Sequence, residues 1–138
     1  MDNISTNTDN NIFDPTPLTI QAKILLQENP SADQVIIMMT TKGNIYSLIN
    51  ESIINGNNAS EDAIISIMDV QKDIEISHII CMWHVNSLDV PSMYLRKKII
   101  TLHSQNAKAK VLLQGKNDYL VKELESTIPK TNSDITNS

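Results

Sequence analysis

The chain is nearly without the residues that announce a chemistry. It holds one Cys, one Trp and one Phe in 138 residues, with three His and three Gly. A lone Cys81 excludes an internal disulfide. With one Trp, one Phe and three Tyr, aromatic stacking platforms are scarce. No Lys/Arg stripe exists, and the net charge is -5, so the positive footprint needed for nucleic acid or an anionic membrane surface is missing. No apolar run approaches the length of a membrane span. The opening "MDNISTNTDNN" lacks the basic start and apolar core of a secretory signal, and a cytoplasmic location is the expectation.

What is present suits one globular core. Apolar residues make up 41% of the chain, mostly Ile, Leu, Val and Met. Residues 1–14 and 130–138 are rich in Asn, Ser, Thr and Asp without apolar periodicity and are expected to be disordered tails. That leaves a single domain over 15–129.

Within it, Leu18, Ala22, Leu25, Leu26 and Asn29 recur at helical spacing before Pro30. "VIIMMT" and "NIYSLI", joined by "TKGN" with Gly43 free to take positive φ, read as a hairpin. "ASEDAIISIMDV" carries Ile64, Ile65 and Met68 on one helical face. Ile74 to His84 is too continuously apolar for a one-sided strand and reads as a buried central one. A helix is expected from Pro91 through Leu102, with the proline in its first turn, then a strand at "KAKVLLQ" and a closing helix in "NDYLVKELESTIP". Helices alternating with buried strands imply an α/β protein, a three-layer α/β/α sandwich with a mixed sheet covered on both faces. Met38, Met39, Met68, Met82 and Trp83 are expected in the core or a subunit interface.

Four stretches carry a resemblance. "TTKGNIYSLIN" is similar to a hairpin T-x-D-G-x-x-Y-x-G-x-N. "ASEDAIISIM" is similar to C-A-E-x-x-A-I, with Glu61 at the glutamate. "VPSMYLRKKI" is similar to P-C-x-x-C-R-Q-x-L, with Pro91 thirty residues after Glu61, and "LLQGKNDYLVKELESTIP" resembles a closing segment ending L-x-E-L-L-P. In this order they resemble the cytidine deaminase family over about Leu18 to Pro129. The resemblance implies that family's fold with a five-stranded mixed sheet, and a homo-oligomer, dimer or tetramer.

It also implies where the family's zinc ligands would lie, and those positions hold Ala59, Ser92 and Leu95. Ala and Leu have no donor atom, and a neutral Ser hydroxyl is a poor zinc ligand. Without zinc nothing brings the pKa of the attacking water from about 16 toward about 7. Glu61, the family's proton shuttle, is then a relic. The expectation is a pseudoenzyme with no cofactor and no catalytic residue, acting through a protein partner, an active paralogue or self-assembly. Ala59 and Leu95 would fill with apolar volume the hole left by the ion.

Two other readings stay open. A nucleoside or nucleotide sensor would use Asn50, at the family's sugar-binding Asn, with Glu61 and His84. Against it, the following N-x-E is shifted to Asn50-Glu51-Ser52, the loop before Glu61 is about two residues short, and the family's stacking aromatic falls at Asp33. A rebuilt metal site would draw on His84 and Glu61; Cys81 and His84, three apart on a strand, point to opposite faces. For single residues, Glu61 can instead complete a capping box with Asn58, Asn50 can simply turn the chain, and Arg96, Lys97 and Lys98 can meet a phosphate at a helix start or form a solvated face.

Overall fold

A computed structural model describes residues 14–51, 58–84, 87–116 and 118–129. Apart from Asp14, both expected tails lie outside the described residues.

Helix α1 covers Thr16–Glu28, with Pro17 in its first turn. Its C-terminus is closed by Asn29, whose Nδ2 donates to the Leu25 carbonyl at 2.8 Å, and Pro30 follows. Leu18, Ala22 and Leu26, four residues apart, form its buried stripe. Strands β1 (Gln34–Thr40) and β2 (Ile45–Asn50) form the expected hairpin, and Gly43 takes φ +88° in its turn. Helix α2 spans Ala59–Val70, and β3 is Ile76–Trp83. A two-residue strand β4, Leu88–Asp89, pairs with the end of β3. Helix α3 spans Met93–Leu102, and a 3-10 turn, Ser104–Lys108, leads into β5, Lys110–Gln114.

The closing helix expected from the sequence is a strand. Tyr119–Glu123 forms β6 antiparallel to β5, and only Leu124–Thr127 turns, as a 3-10 segment. Gly115 makes the hairpin: a Cβ there would run into the Asp118 carbonyl, so the chain can reverse tightly only without one.

The sheet runs β2-β1-β3-β5-β6, with β4 beside β3: among the described residues it has six strands where five were expected, the extra one being the two-residue β4. Only β3 and β5 are parallel, because α3 returns the chain between them. The sandwich and mixed sheet expected from the sequence are present. Odd and even strand residues separate the core into two halves. Ile36, Met38, Ile79, Cys81 and Val111 pack with Ile64 and Met68 of α2 and Leu95 and Ile99 of α3. Val35, Ile37, Ile80, Met82 and Leu112 pack with α1. Both faces of β1 and β3 are thus covered, which explains their unbroken apolar runs. β6 is exposed along its whole length, so the expected two-sided cover stops short of that edge.

Candidate functional site

Two helices begin side by side on one face of the sheet, and their first turns meet the end of the hairpin. Ser92 is the N-cap of α3: its Oγ accepts the Leu95 amide at 3.1 Å. Pro91, expected inside the helix, precedes this cap. The same Ser92 hydroxyl donates to Glu61 Oε2 at 2.9 Å, so a single oxygen ties α3 to α2.

Glu61 is fully buried. Its Oε2 also accepts Asn50 Nδ2 at 3.4 Å, and that amide donates to Gln34 Oε1 at 3.1 Å. Gln34 and Asn50 are themselves 1% exposed. A polar chain Gln34–Asn50–Glu61–Ser92 therefore runs from β1 through β2 and α2 to α3, inside an otherwise apolar core. Burying a carboxylate is costly unless it is hydrogen-bonded. Oε2 is satisfied twice, while Oε1 has no donor among the described residues. Gln34, which the sequence reading passed over, is the first link. Its place at the start of a run of buried apolar residues was the available signal, because a polar side chain there needs a partner.

The other single-residue expectations divide. The capping box is absent: the Asn58 side chain makes no cap hydrogen bond, and the Glu61 carboxylate lies in the core. Asn50 does not merely turn the chain; its amide is engaged twice, and its carbonyl accepts the Asp33 amide at 2.7 Å. Leu95 is fully buried as expected, but Ala59 is exposed and fills no interior space. Asp33 is half-buried beside the hairpin end, and the loop over 52–57 lies outside the described residues.

Arg96 is not part of a solvated face. It is 8% exposed and donates from Nη1 to the Thr127 carbonyl at 2.5 Å and Oγ1 at 3.3 Å, and from Nε to the Ser92 carbonyl at 3.4 Å. Its guanidinium clamps α3 to the C-terminal turn, and burial holds its pKa below the usual arginine value. Lys97 and Lys98 are exposed, with the Lys98 ammonium 5.4 Å from the centre of the Tyr94 ring.

His84 follows β3 and is exposed, whereas Cys81 lies inside the core. Burial pushes the Cys81 thiol far above its ordinary pKa, with the charges of Asp89 and Glu61 adding to the effect, so it stays protonated. Among the described residues no three His, Cys, Asp or Glu side chains group as metal ligands. Met38, Met68 and Met82 are buried in the core, and Met39 and Trp83 are half-buried.

The architecture defines an α/β sandwich whose two inner helices start at a shared polar site. Among solved structures that arrangement is the cytidine deaminase-like fold. Cytidine deaminase from Burkholderia pseudomallei matches with a TM-score of 0.63 at 16% identity, over 86% of this chain and 98% of that one. The enzyme from Mycobacterium leprae matches at 0.61 and 10% identity, over 86% and 100%. That from Bacillus anthracis matches at 0.60 and 14%, over 87% and 93%. No family model matches the sequence, and neither does any curated protein.

Proposed function

We propose that this protein is a cytidine deaminase-like pseudoenzyme, which does not deaminate and acts by binding. The observation that carries the reading is the Ser92–Glu61 hydrogen bond. By resemblance, Ala59, Ser92 and Leu95 stand where the deaminases place zinc ligands. These residues do not fit the ion: Ala59 is exposed and, like Leu95, has no donor atom, and the Ser92 hydroxyl is engaged by Glu61 and the Leu95 amide. Zinc would join the two helix starts and activate a water. Here a hydrogen bond makes the join and supplies no hydroxide. Glu61, the base of the resembled mechanism, spends one oxygen holding Ser92 and Asn50.

The test combines elemental analysis of protein purified without chelator with a cytidine and deoxycytidine deamination assay before and after added zinc. Metal-poor protein that stays inactive with zinc supports the reading. Stoichiometric zinc with turnover overturns it. Assembly with itself or with an active paralogue is the binding mode proposed, and sedimentation of the chain alone, then mixed with a deaminase of the same fold, reads both.

One observation favours a second reading, a nucleoside or nucleotide sensor. Asn50 and Glu61, both of which the resemblance places at the sugar and base, do converge, and Glu61 Oε1 has no donor among the described residues. A base edge that donates hydrogen bonds would satisfy that oxygen. Thermal denaturation across nucleosides and nucleotides tests it, since a ligand of the native state raises stability as RT ln(1 + [L]/Kd). A flat response across the series removes the sensor reading and leaves the pseudoenzyme reading intact.

A further inference from the structure

One side of the molecule is built from the edge strand β2 and the flank of α2 beside it. β2 ends the sheet, and among the described residues no strand pairs with its outer edge. Sheet edges that stay single are commonly blunted by a charge, a proline or a bulge. Ile45–Asn50 has no charged residue and no proline, and it pairs with β1 in a register without a bulge. Leu48 of β2 and Ile36 and Met38 of β1 pack with Ile64 and Met68, so α2 lies across both strands. Tyr46 Oη donates to Gln71 Oε1 at 2.6 Å and fixes the end of the helix at this edge. The other flank of α2 faces α3, where Tyr94 Oη donates to Asp62 Oδ1 at 2.6 Å.

The flank on the β2 side carries Ser60, Ala63, Ile67 and Val70, whose alternating spacing of three and four residues is that of a seam between paired helices. All four are exposed, Ile67 at 46% and Val70 at 81%. The seam is small in its first half and large in its second, and a hollow of about 250 Å³ lies among Ser66, Ile67, Val70 and Gln71. Charge is graded along the same side. Lys42 and Lys72 are exposed at the end where β2 starts and α2 stops, and Glu51 is exposed at the opposite end, after β2. Neither Lys72 nor Glu51 is in an ion pair among the described residues.

We propose that a second copy of the chain covers this side, related by a two-fold axis normal to the sheet, with β2 antiparallel to β2 and α2 antiparallel to α2. The inference rests on the reading that the protein acts by assembly, and it names the surface that assembles. One rotation serves both layers. Strands lie about 4.8 Å apart, so the β1–β2 midlines of the two copies fall about 10 Å apart, the packing distance of two helices. In the antiparallel seam Ser66 of one copy meets Ile67 of the other and Ala63 meets Val70, so each large side chain lies against a small one. Lys42 and Lys72 come to the end that holds Glu51 of the second copy, and like charges stay apart. A second copy fits this side better than an unrelated chain, because edge, seam and charge are each self-complementary under the same rotation.

The experiment uses the full chain. Sedimentation velocity is expected to show a dimer whose dissociation constant rises about tenfold or more in Val70→Glu, since the seam would then bury an unpaired charge. Circular dichroism of that variant, changed at a side chain already in solvent, is expected to match the parent chain. Ile67→Cys, beside the axis, is expected to give a disulfide-linked dimer on mild oxidation, and Ile24→Cys, at a position 46% exposed on α1, to give none. Cys81, buried and protonated, stays out of the reaction. A dimer that ignores Val70→Glu and does not cross-link through Ile67→Cys overturns this interface and leaves self-assembly standing on another surface. A chain that is monomeric at every concentration overturns the interface and self-assembly together. A monomer that pairs only with a deaminase of the same fold overturns the second copy as the occupant and assigns the side to a paralogue.

Discussion

At the scale of single residues, Ser92 carries more than its exposure suggests. One hydroxyl caps α3 and holds Glu61, so Ser92→Ala removes an N-cap and strips a buried carboxylate of a donor. The expected loss is about 1–3 kcal/mol in urea denaturation, and a change below about 0.5 kcal/mol would show that the join between the helices is formed elsewhere. Asp73 gives a second handle, through pH. Burial alone would raise its pKa, but hydrogen bonds from Asn44 Nδ2 at 2.7 Å and Tyr46 Oη at 3.0 Å, with the charge of Lys42, outweigh it and hold the carboxyl below its ordinary value. A carboxyl lowered by folding contributes stability that is complete above its unfolded value near 3.9 and is lost as pH falls through the folded one. Acid unfolding below about pH 4 is therefore expected to be less steep in Asp73→Asn than in the parent chain, by denaturant titrations at several pH values. Identical slopes would remove Asp73 from the acid response.

At the scale of elements, side chains at the joints do what the regular hydrogen bonds cannot. Asn106 is fully buried. Its Nδ2 donates to the Ile74 carbonyl at 2.8 Å and the Ile99 carbonyl at 3.0 Å, and its Oδ1 accepts the Ile76 amide at 2.7 Å. It fastens the entry of β3 to the exit of α3. Asn106→Ala removes the partners of the Ile76 amide and the Ile74 carbonyl, while the Ile99 carbonyl keeps the His103 amide, and is expected to cost about 2–3 kcal/mol by chemical denaturation. Elements whose periodicity had one meaning were legible from the sequence: the i, i+4 stripe of α1, the Gly43 hairpin, and the unbroken apolar run of β3. Residues 119–127 were not. Leu120, Val121 and Leu124 satisfy helical spacing, yet "GKND" is also a hairpin turn, and pairing with β5 decided the outcome. Helix propensity yields when a neighbouring strand offers a ladder. The site was half legible for a related reason. Glu61, Asn50 and Ser92 could be placed by resemblance, but a capping box and a buried carboxylate share the pattern N-x-x-E. Only the packing of α2 against α3 separates them. The partners of Gln34 and Arg96 were not legible locally, because Asn50 and Thr127 lie 16 and 31 residues away in sequence.

At the scale of the whole molecule, the chain has a cytidine deaminase-like fold, and a hydrogen bond from Ser92 to Glu61 joins the starts of α3 and α2. The core is divided by the sheet into two apolar halves, and the polar chain from Gln34 to Ser92 crosses from the hairpin into the larger of them. Its position at the meeting point of four elements means that a loosened Glu61 would be felt in β1, β2, α2 and α3 together. Stability and any activity at this site are consequently expected to move together on mutation.

The bare strand at the end of the sheet has a consequence for handling the protein. Tyr119, Leu120 and Val121 follow one another on β6, between 38% and 54% exposed, and among the described residues no strand pairs with its outer edge, a position at which backbone groups can pair with another chain. Concentrated or warmed solutions are a natural place for such strands to zip together and precipitate, with Lys122 and Glu123 as the nearest charged gatekeepers. Leu120→Lys, at a side chain that is 51% exposed, is expected to delay the rise of light scattering on heating while shifting urea stability by less than about 0.5 kcal/mol. If turbidity appears on the same schedule, precipitation starts from another surface. A long-lived stock would thus be obtained by adding one charge at the rim of the sheet and leaving its interior alone.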